Sequence, residues 1–288
     1  MPDFNFHVKQ QPTCGSTGLG GGVHNVGTIW KPRADPNAQY LKVAYSGLSE
    51  HGYRNVASLV NVSNDVTPVF IPRGTNEPIF NQSVVKWTSE GYDSSLELGT
   101  RNSVSGWFAS EDPVGGSTTR DLQAFGNSTY TFETWVYIPT FPNGSGKAMA
   151  IFFHTNDTDS GFKCLITGNN FGNPQRGLYW TAFGSGTAYT SANVLSTNTW
   201  HHIAYVRIGT SSANTNLRLY VDGIDRTAFR NGQCNQNWDY TGPLFCAADQ
   251  ALTEWDTVKI QDYRVYQGVA KYTSNFSGSL PNSMFVKN

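Results

Sequence analysis

The sequence predicts an all-β protein of sandwich or jelly-roll type, and three observations carry that prediction. Charged residues make up only 14% of the 288-residue chain and aromatics reach 14%, against about 25% charged in an ordinary soluble domain. Twenty-nine glycines, with abundant Ser, Thr and Asn, punctuate the chain with turns. Between the turns lie short period-two alternations of apolar and polar residues, with no sustained 3.6-residue apolar period.

Residues 1–75 read as an extended N-terminal anchoring and assembly segment. "CGSTGLGGG" (Cys14–Gly22) is too glycine-rich to hold one conformation unaided, and six prolines between Pro12 and Pro78 remove backbone donors. Short strand candidates lie between them: "GTIW" ending at Trp30, "YLKVAY" at 40–45 and "SLVNV" at 58–62. Such a segment buries little by itself, so it either lies along another surface or forms a partly ordered tail.

Residues 76–288 read as the sandwich. "SSLEL" (94–98) leads to "YTFETWVYI" (130–138), where Phe132, Thr134, Val136 and Ile138 share a face. Strands follow at "AMAIFFH" (148–154), "GFKCLIT" (161–167), "GLYWTAF" (177–183) and "WHHIAYVRI" (200–208). "NLRLYVDG" (216–223), "PLFCAAD" (243–249) and "VKIQDYRVY" (258–266) close the series. In "WHHIAYVRI" both faces carry apolar groups, which predicts a central strand covered on both sides. Trp200 and His202 fall on one face and His201 on the other, with Trp200 expected as a buried core aromatic. Asp222-Gly223 supplies a two-residue hairpin turn, since both residues tolerate positive φ.

Net charge of −1 and a pI near 6.6 leave no basic field for nucleic acid or an anionic membrane. No apolar run approaches the roughly 18 residues of a membrane span, and "MPDFNFHVKQ" lacks a signal-peptide core. The six Asn-x-Ser/Thr triplets therefore read as products of composition. No CxxC or zinc-type Cys/His spacing joins Cys14, Cys164, Cys234 and Cys246. Reduced thiols are the default, with a Cys234–Cys246 bridge left open.

Four stretches carry a family resemblance. "YTFETWVYI", the run through "TWHHIAYVRIG", "LRLYVDG" and "VKIQDYRVYQGVAKY" resemble the concanavalin A-like lectin/glucanase superfamily, in its laminin G-type branch, over roughly residues 85–275. The signature positions are Trp200 with His201, Leu219 through Asp222 to Gly223, and Asp262 with Arg264. The resemblance implies a concanavalin A-like jelly-roll β-sandwich, and it is specific for fold more than for activity. It also implies a calcium position at Asp157 and Asp159 in "HTNDTDSGFKCLI", the competing reading being a solvated Asn/Asp turn. The tail "DYRVYQGVAKYTSNFSGSLP" is similar to the ends of such domains in bacteriophage virion proteins.

Hydrolytic chemistry finds little support. His201 and His202 point to opposite faces and cannot act on one atom, and no G-x-S-x-G elbow occurs. A glycosidase needs two carboxylates about 5–9.5 Å apart, expected here as E-x-D-x-x-E. Glu133 has Trp135 two positions later, and Glu254 with Asp256 sit in a loop. Sugar recognition has its best sequence candidate in "NGQCNQNWDYTGP", with Trp238 and Tyr240 among hydrogen-bonding side chains. The expectation is a non-enzymatic virion protein without an obligate cofactor. It decorates a capsid or short appendage, or acts as a tail-fibre adhesin for host surface glycans. Its expected partners are other virion proteins and copies of itself, with no nucleic acid and no membrane insertion.

Overall fold

A computed structural model describes residues 30–52, 56–57, 70–73, 79–101, 104–110, 125–155, 161–182, 186–210, 214–232, 245–246 and 257–287. In chain order the strands begin with β1 (Trp30–Pro32), β2 (Leu41–Tyr45), β3 (Phe70–Arg73), β4 (Ile79–Asn81), β5 (Ser95–Arg101) and β6 (Val104–Ser110). Next come β7 (Tyr130–Tyr137), β8 (Ala148–Thr155), β9 (Gly161–Thr167), β10 (Leu178–Ala182), β11 (Gly186–Thr190) and β12 (Trp200–Arg207). The last are β13 (Leu217–Val221), β14 (Ile224–Asp225), β15 (Thr227–Gly232), β16 (Phe245–Cys246), β17 (Val258–Gln267) and β18 (Phe285–Lys287).

These strands make the expected all-β sandwich of two antiparallel layers. The first runs β14-β13-β12-β7-β17, and the far edge of β17 pairs with β5 along one half and β2 along the other. The second runs β6-β16-β8-β9-β10-β11-β15, with β3 on the far edge of β6. The β5–β6 hairpin passes from one layer to the other.

Alternation explains what lies between the layers. Phe132, Val136, Ile203, Tyr205 and Leu219 from the first layer meet Phe152, Phe162, Ile166, Leu178 and Trp180 from the second, all buried. The polar tips of two core tyrosines are satisfied across the gap. Tyr205 donates to the Leu165 carbonyl at 2.7 Å and Tyr263 to the Ile151 carbonyl at 3.2 Å. Cys164 and Cys246 act as small apolar core residues. Both are free thiols among the described residues, and Cys234, the bridge partner left open above for Cys246, lies outside them.

One irregularity reorganises β17. Between Gln261 and Arg264 it carries one residue more than β7 opposite, with Asp262 at φ +50°. Such a bulge switches side-chain parity. Val258 and Ile260 face the core before it, Tyr263 and Val265 after it. Arg264 and Tyr266 are thereby turned to the outer face.

That outer face is covered. Trp30, Tyr40, Leu41, Ala44, Leu48, Val56 and Ala57 pack with Tyr92, Tyr266, Met284 and Phe285 in a second apolar cluster. A third joins Ala204, Val206 and Tyr220 to Ala270, Tyr272 and Phe276. The strand β12 is therefore covered on both sides, as its sequence predicts. Two expectations change. The boundary near residue 75 marks no structural division where the chain is described, because β2 is a strand of the sandwich and β1 pairs with the C-terminal β18. Trp200 is not a core aromatic. The core face of β12 is the His201 face, so Trp200 lies on the outer side, partly buried against Tyr137 at 5.6 Å. "CGSTGLGGG" and "SLVNV" lie outside the described residues.

Candidate functional site

The Trp-His and Asp-Gly signatures meet at one corner. Asp222 (φ +50°) and Gly223 (φ +74°) form the predicted hairpin turn, with Val221 and Ile224 paired across it. Glycine is doubly required at 223, since a Cβ there would lie 2.6 Å from the backbone nitrogen of Ser277. Asp222 accepts the His202 amide at 2.9 Å and the His201 Nδ1 at 2.7 Å. Burial alone would raise the Asp222 carboxyl, but these bonds outweigh it and hold it low.

His201 Nε2 lies 2.9 Å from Ser196 Oγ, so Ser196, His201 and Asp222 imitate a hydrolytic triad. The Ser196 amide also donates to Nε2, at 3.1 Å. In a serine hydrolase the nucleophile's own amide helps bind the oxyanion, and the base keeps its lone pair for the hydroxyl. Here the amide and the lone pair are spent on each other. The three residues brace the loop before β12 against the β13–β14 turn.

Asp262 and Arg264 belong to a buried polar network on the covered face. Asp262 accepts from Tyr92 (3.1 Å), the Met284 amide (3.0 Å) and Arg264 Nη2 (3.2 Å). Burial pushes its carboxyl up to about 6 against these partners. Glu133, 1% exposed, accepts from Lys271 and Tyr272 at 2.5 Å each, with Arg264 at 3.7 Å and His202 at 3.5 Å. Burial alone would raise Glu133, yet Lys271, His202 and Arg264 hold it well below the usual carboxylate range. Burial lowers His202, which stays neutral. The C-terminal run after β17 supplies Lys271, Tyr272 and Phe276, so it clamps the outer face.

The second layer presents something different. On β10, Trp180 faces the core and Tyr179 faces away. Its cross-strand partner is Tyr189 of β11, whose partner is Phe229 of β15. The rings of Tyr179 and Tyr189 are parallel at 6.2 Å, those of Tyr189 and Phe229 stack at 4.7 Å, and Phe171 meets Tyr179 edge-on at 5.2 Å. Two residues along each strand, Lys163, Thr181, Thr187 and Asn231 form a parallel polar row. With strands about 4.8 Å apart, the aromatic row crosses about 10 Å of sheet. Phe229 keeps 40% of its surface exposed and, with Ile79, is one of two exposed large apolar side chains among the described residues.

The sequence reading missed this row and proposed other residues. Trp238 and Tyr240 lie outside the described residues, as do Asp157 and Asp159. Among the described residues, no group of three or more His, Cys, Asp or Glu could hold a metal ion.

Residues 113–271, more than half of the chain, match the family model for the concanavalin A-like lectin/glucanases superfamily. Among solved structures, domain 4 of AbnA, an extracellular arabinanase from Geobacillus stearothermophilus captured with arabinotriose, superposes with a TM-score of 0.51 at 11% identity. The match covers 80% of this chain and 94% of that one. The binding domain of botulinum neurotoxin serotype D superposes with a TM-score of 0.50 at 10% identity, over 81% of this chain and 49% of that one. The chain thus spans about half the length of the toxin binding domain, and both likenesses show the fold. No curated protein sequence matches the chain significantly.

Proposed function

Because the chain belongs to the concanavalin A-like lectin/glucanases superfamily, we propose that it is a non-enzymatic, lectin-like module that binds a glycan across the outward face of β9, β10, β11 and β15. The observation that carries this reading is the row of Tyr179, Tyr189 and Phe229 beside Thr181, Thr187 and Asn231. Stacked cross-strand rings stabilise a sheet by themselves, but that role does not need exposure. The first layer covers its outer aromatics with terminal segments, whereas Phe229 stays open on the second. Aromatic rings take the apolar C–H faces of sugars while adjacent hydroxyl and amide groups bond their oxygens, which is the division of labour of small-molecule sites.

One structural neighbour supports the same class of ligand: the arabinanase domain was captured with arabinotriose. The C-terminal run Gly268–Phe276 supports a place on a bacteriophage particle, where such a module would act as an adhesin for host surface glycans. The test is a glycan array followed by calorimetry on the best ligand. Tyr189→Ala and Phe229→Ala should each weaken binding at least tenfold, roughly 1.4 kcal/mol. Binding that survives both substitutions would remove the site from this face, and an array with no bound glycan would remove the function.

A further inference from the structure

The terminal segments that cover the first layer leave a cleft of about 480 Å³ between them, within the roughly 300–1,000 Å³ of small-ligand pockets. Arg33, Asp35 and Asn37 line it from the N-terminal side, and Tyr272 and Asn282 from the C-terminal side. Arg264 and Lys271 also reach it from the buried network.

Its polar groups are only partly used. Arg264 has a side chain 7% exposed, and its Nη2 is spent on Asp262 and on the Asn282 carbonyl at 2.8 Å. Its Nη1 lies 3.7 Å from Glu133, in ion-pair range but beyond a hydrogen bond. Lys271 bonds Glu133 and the Tyr266 hydroxyl, which uses two of its three donors. Asp35 accepts from the Tyr266 hydroxyl and the Asn37 amide and keeps lone pairs for more. The side-chain amides of Asn37 and Asn282 make no hydrogen bond among the described residues.

Charge selects the ligand. Arg33, Arg264 and Lys271 stand against Glu90, Asp35, Glu133 and Asp262, three cations to four carboxylates. An anionic ligand would add to the negative side. A metal cation would meet two guanidiniums and an ammonium. A neutral molecule with adjacent hydroxyls disturbs neither balance, because each hydroxyl can accept from Arg264, Lys271 or an asparagine and donate to Asp35.

We propose that this cleft is a second carbohydrate site, for a single neutral sugar residue, on the opposite face of the sandwich from the aromatic row. This deepens the glycan-binding reading and rests on it, and it makes the module bivalent.

The experiment is a titration of the ¹⁵N-labelled full chain with methyl glycosides of glucose, galactose and mannose. Galacturonate and inorganic phosphate serve as acidic probes. At least one neutral glycoside should shift the amides of Asn37, Tyr272 and Asn282 saturably, and the acidic probes should leave them in place. Ala34→Trp fills the cleft from an exposed position. It should weaken these shifts at least tenfold and leave oligosaccharide binding at Tyr189 and Phe229 intact. Phe229→Ala should do the reverse. The inference falls if no neutral glycoside moves the cleft amides, if the shifts survive Ala34→Trp, or if an acidic probe binds better. If the cleft is silent while the aromatic row binds glycan, this inference falls alone. If the row is silent as well, the proposed function falls with it.

Discussion

Replacing Glu133 with Gln removes the carboxylate around which the covered face is organised. Glu133 is 1% exposed, and its cations Lys271 and Arg264 have side chains 9% and 7% exposed, so solvent screens none of them well. Breaking a buried ion pair by removing one partner costs about 3–5 kcal/mol, because the remaining charge stays buried. Gln keeps the shape and one acceptor for Lys271 or Tyr272, which places the expected loss near the lower end, about 3 kcal/mol. In a domain of this size that lowers the melting temperature by about 6–12 °C. The assay is thermal unfolding by circular dichroism at neutral pH, with Lys271→Met and the double variant completing a cycle. The double variant should recover at least about 1 kcal/mol relative to the sum of the singles. A Glu133→Gln melting temperature within about 1 °C of the parent would refute the account, since the tail would then be held by apolar contacts alone.

Acid titration offers an independent check on the same network. Glu133 is depressed in the folded state, so its contribution is complete above its unfolded value of 4.5 and is lost as pH falls further. Between pH 6.5 and 4.5 two groups oppose each other: neutral His202 loses stability as pH falls, and Asp262, raised to about 6, gains it. Stability should therefore decline below that window, and a steady rise under pH 4.5 would contradict the assignment. Trp200→Ala should cost clearly less than the roughly 3–5 kcal/mol of a buried aromatic such as Phe132, measured by urea unfolding of both variants. Buried Cys164, its thiol pushed far up by burial, should resist a thiol reagent until the protein unfolds. Deleting residues 1–57 removes β2 and strips the cover from Tyr266 and Arg264. The product should fail to fold, and a soluble truncation with the parent's near-ultraviolet spectrum would show that this cover is dispensable.

Much of this fold was legible because strand alternation is local. The faces of β7, β12 and β13 follow from their own residues, and so does the Asp222-Gly223 turn. The buried side was harder to choose, since β12 is apolar on both faces. Trp200 drew the core to the wrong side, where Ile203 and Tyr205 decide it. The parity switch in β17 depends on one residue at positive φ, Asp262, and period-two reading passes over it. β11 and β15 escaped notice because "GTAYT" and "TAFRNG" are short and weakly apolar, and β6 because the adjacent Trp107 and Phe108 in "VSGWFAS" break its period-two alternation.

The candidate site was illegible for a related reason. Tyr179, Tyr189 and Phe229 come from three strands spread over 50 residues, and only the register of the ladder aligns them. Glu133 shows the converse. Its sequence neighbourhood offered no second carboxylate, and nothing in it announced Lys271 and Tyr272, whose hydrogen bonds define its role.

The most direct test of the central claim is a crystal structure of the full chain with the tightest glycan found on an array. The account predicts sugar lying across the aromatic row, with a ring against Phe229 or Tyr189 and its hydroxyls bonded to Thr181, Thr187 or Asn231. Sugar bound at Trp238 and Tyr240, with the row empty, would contradict it.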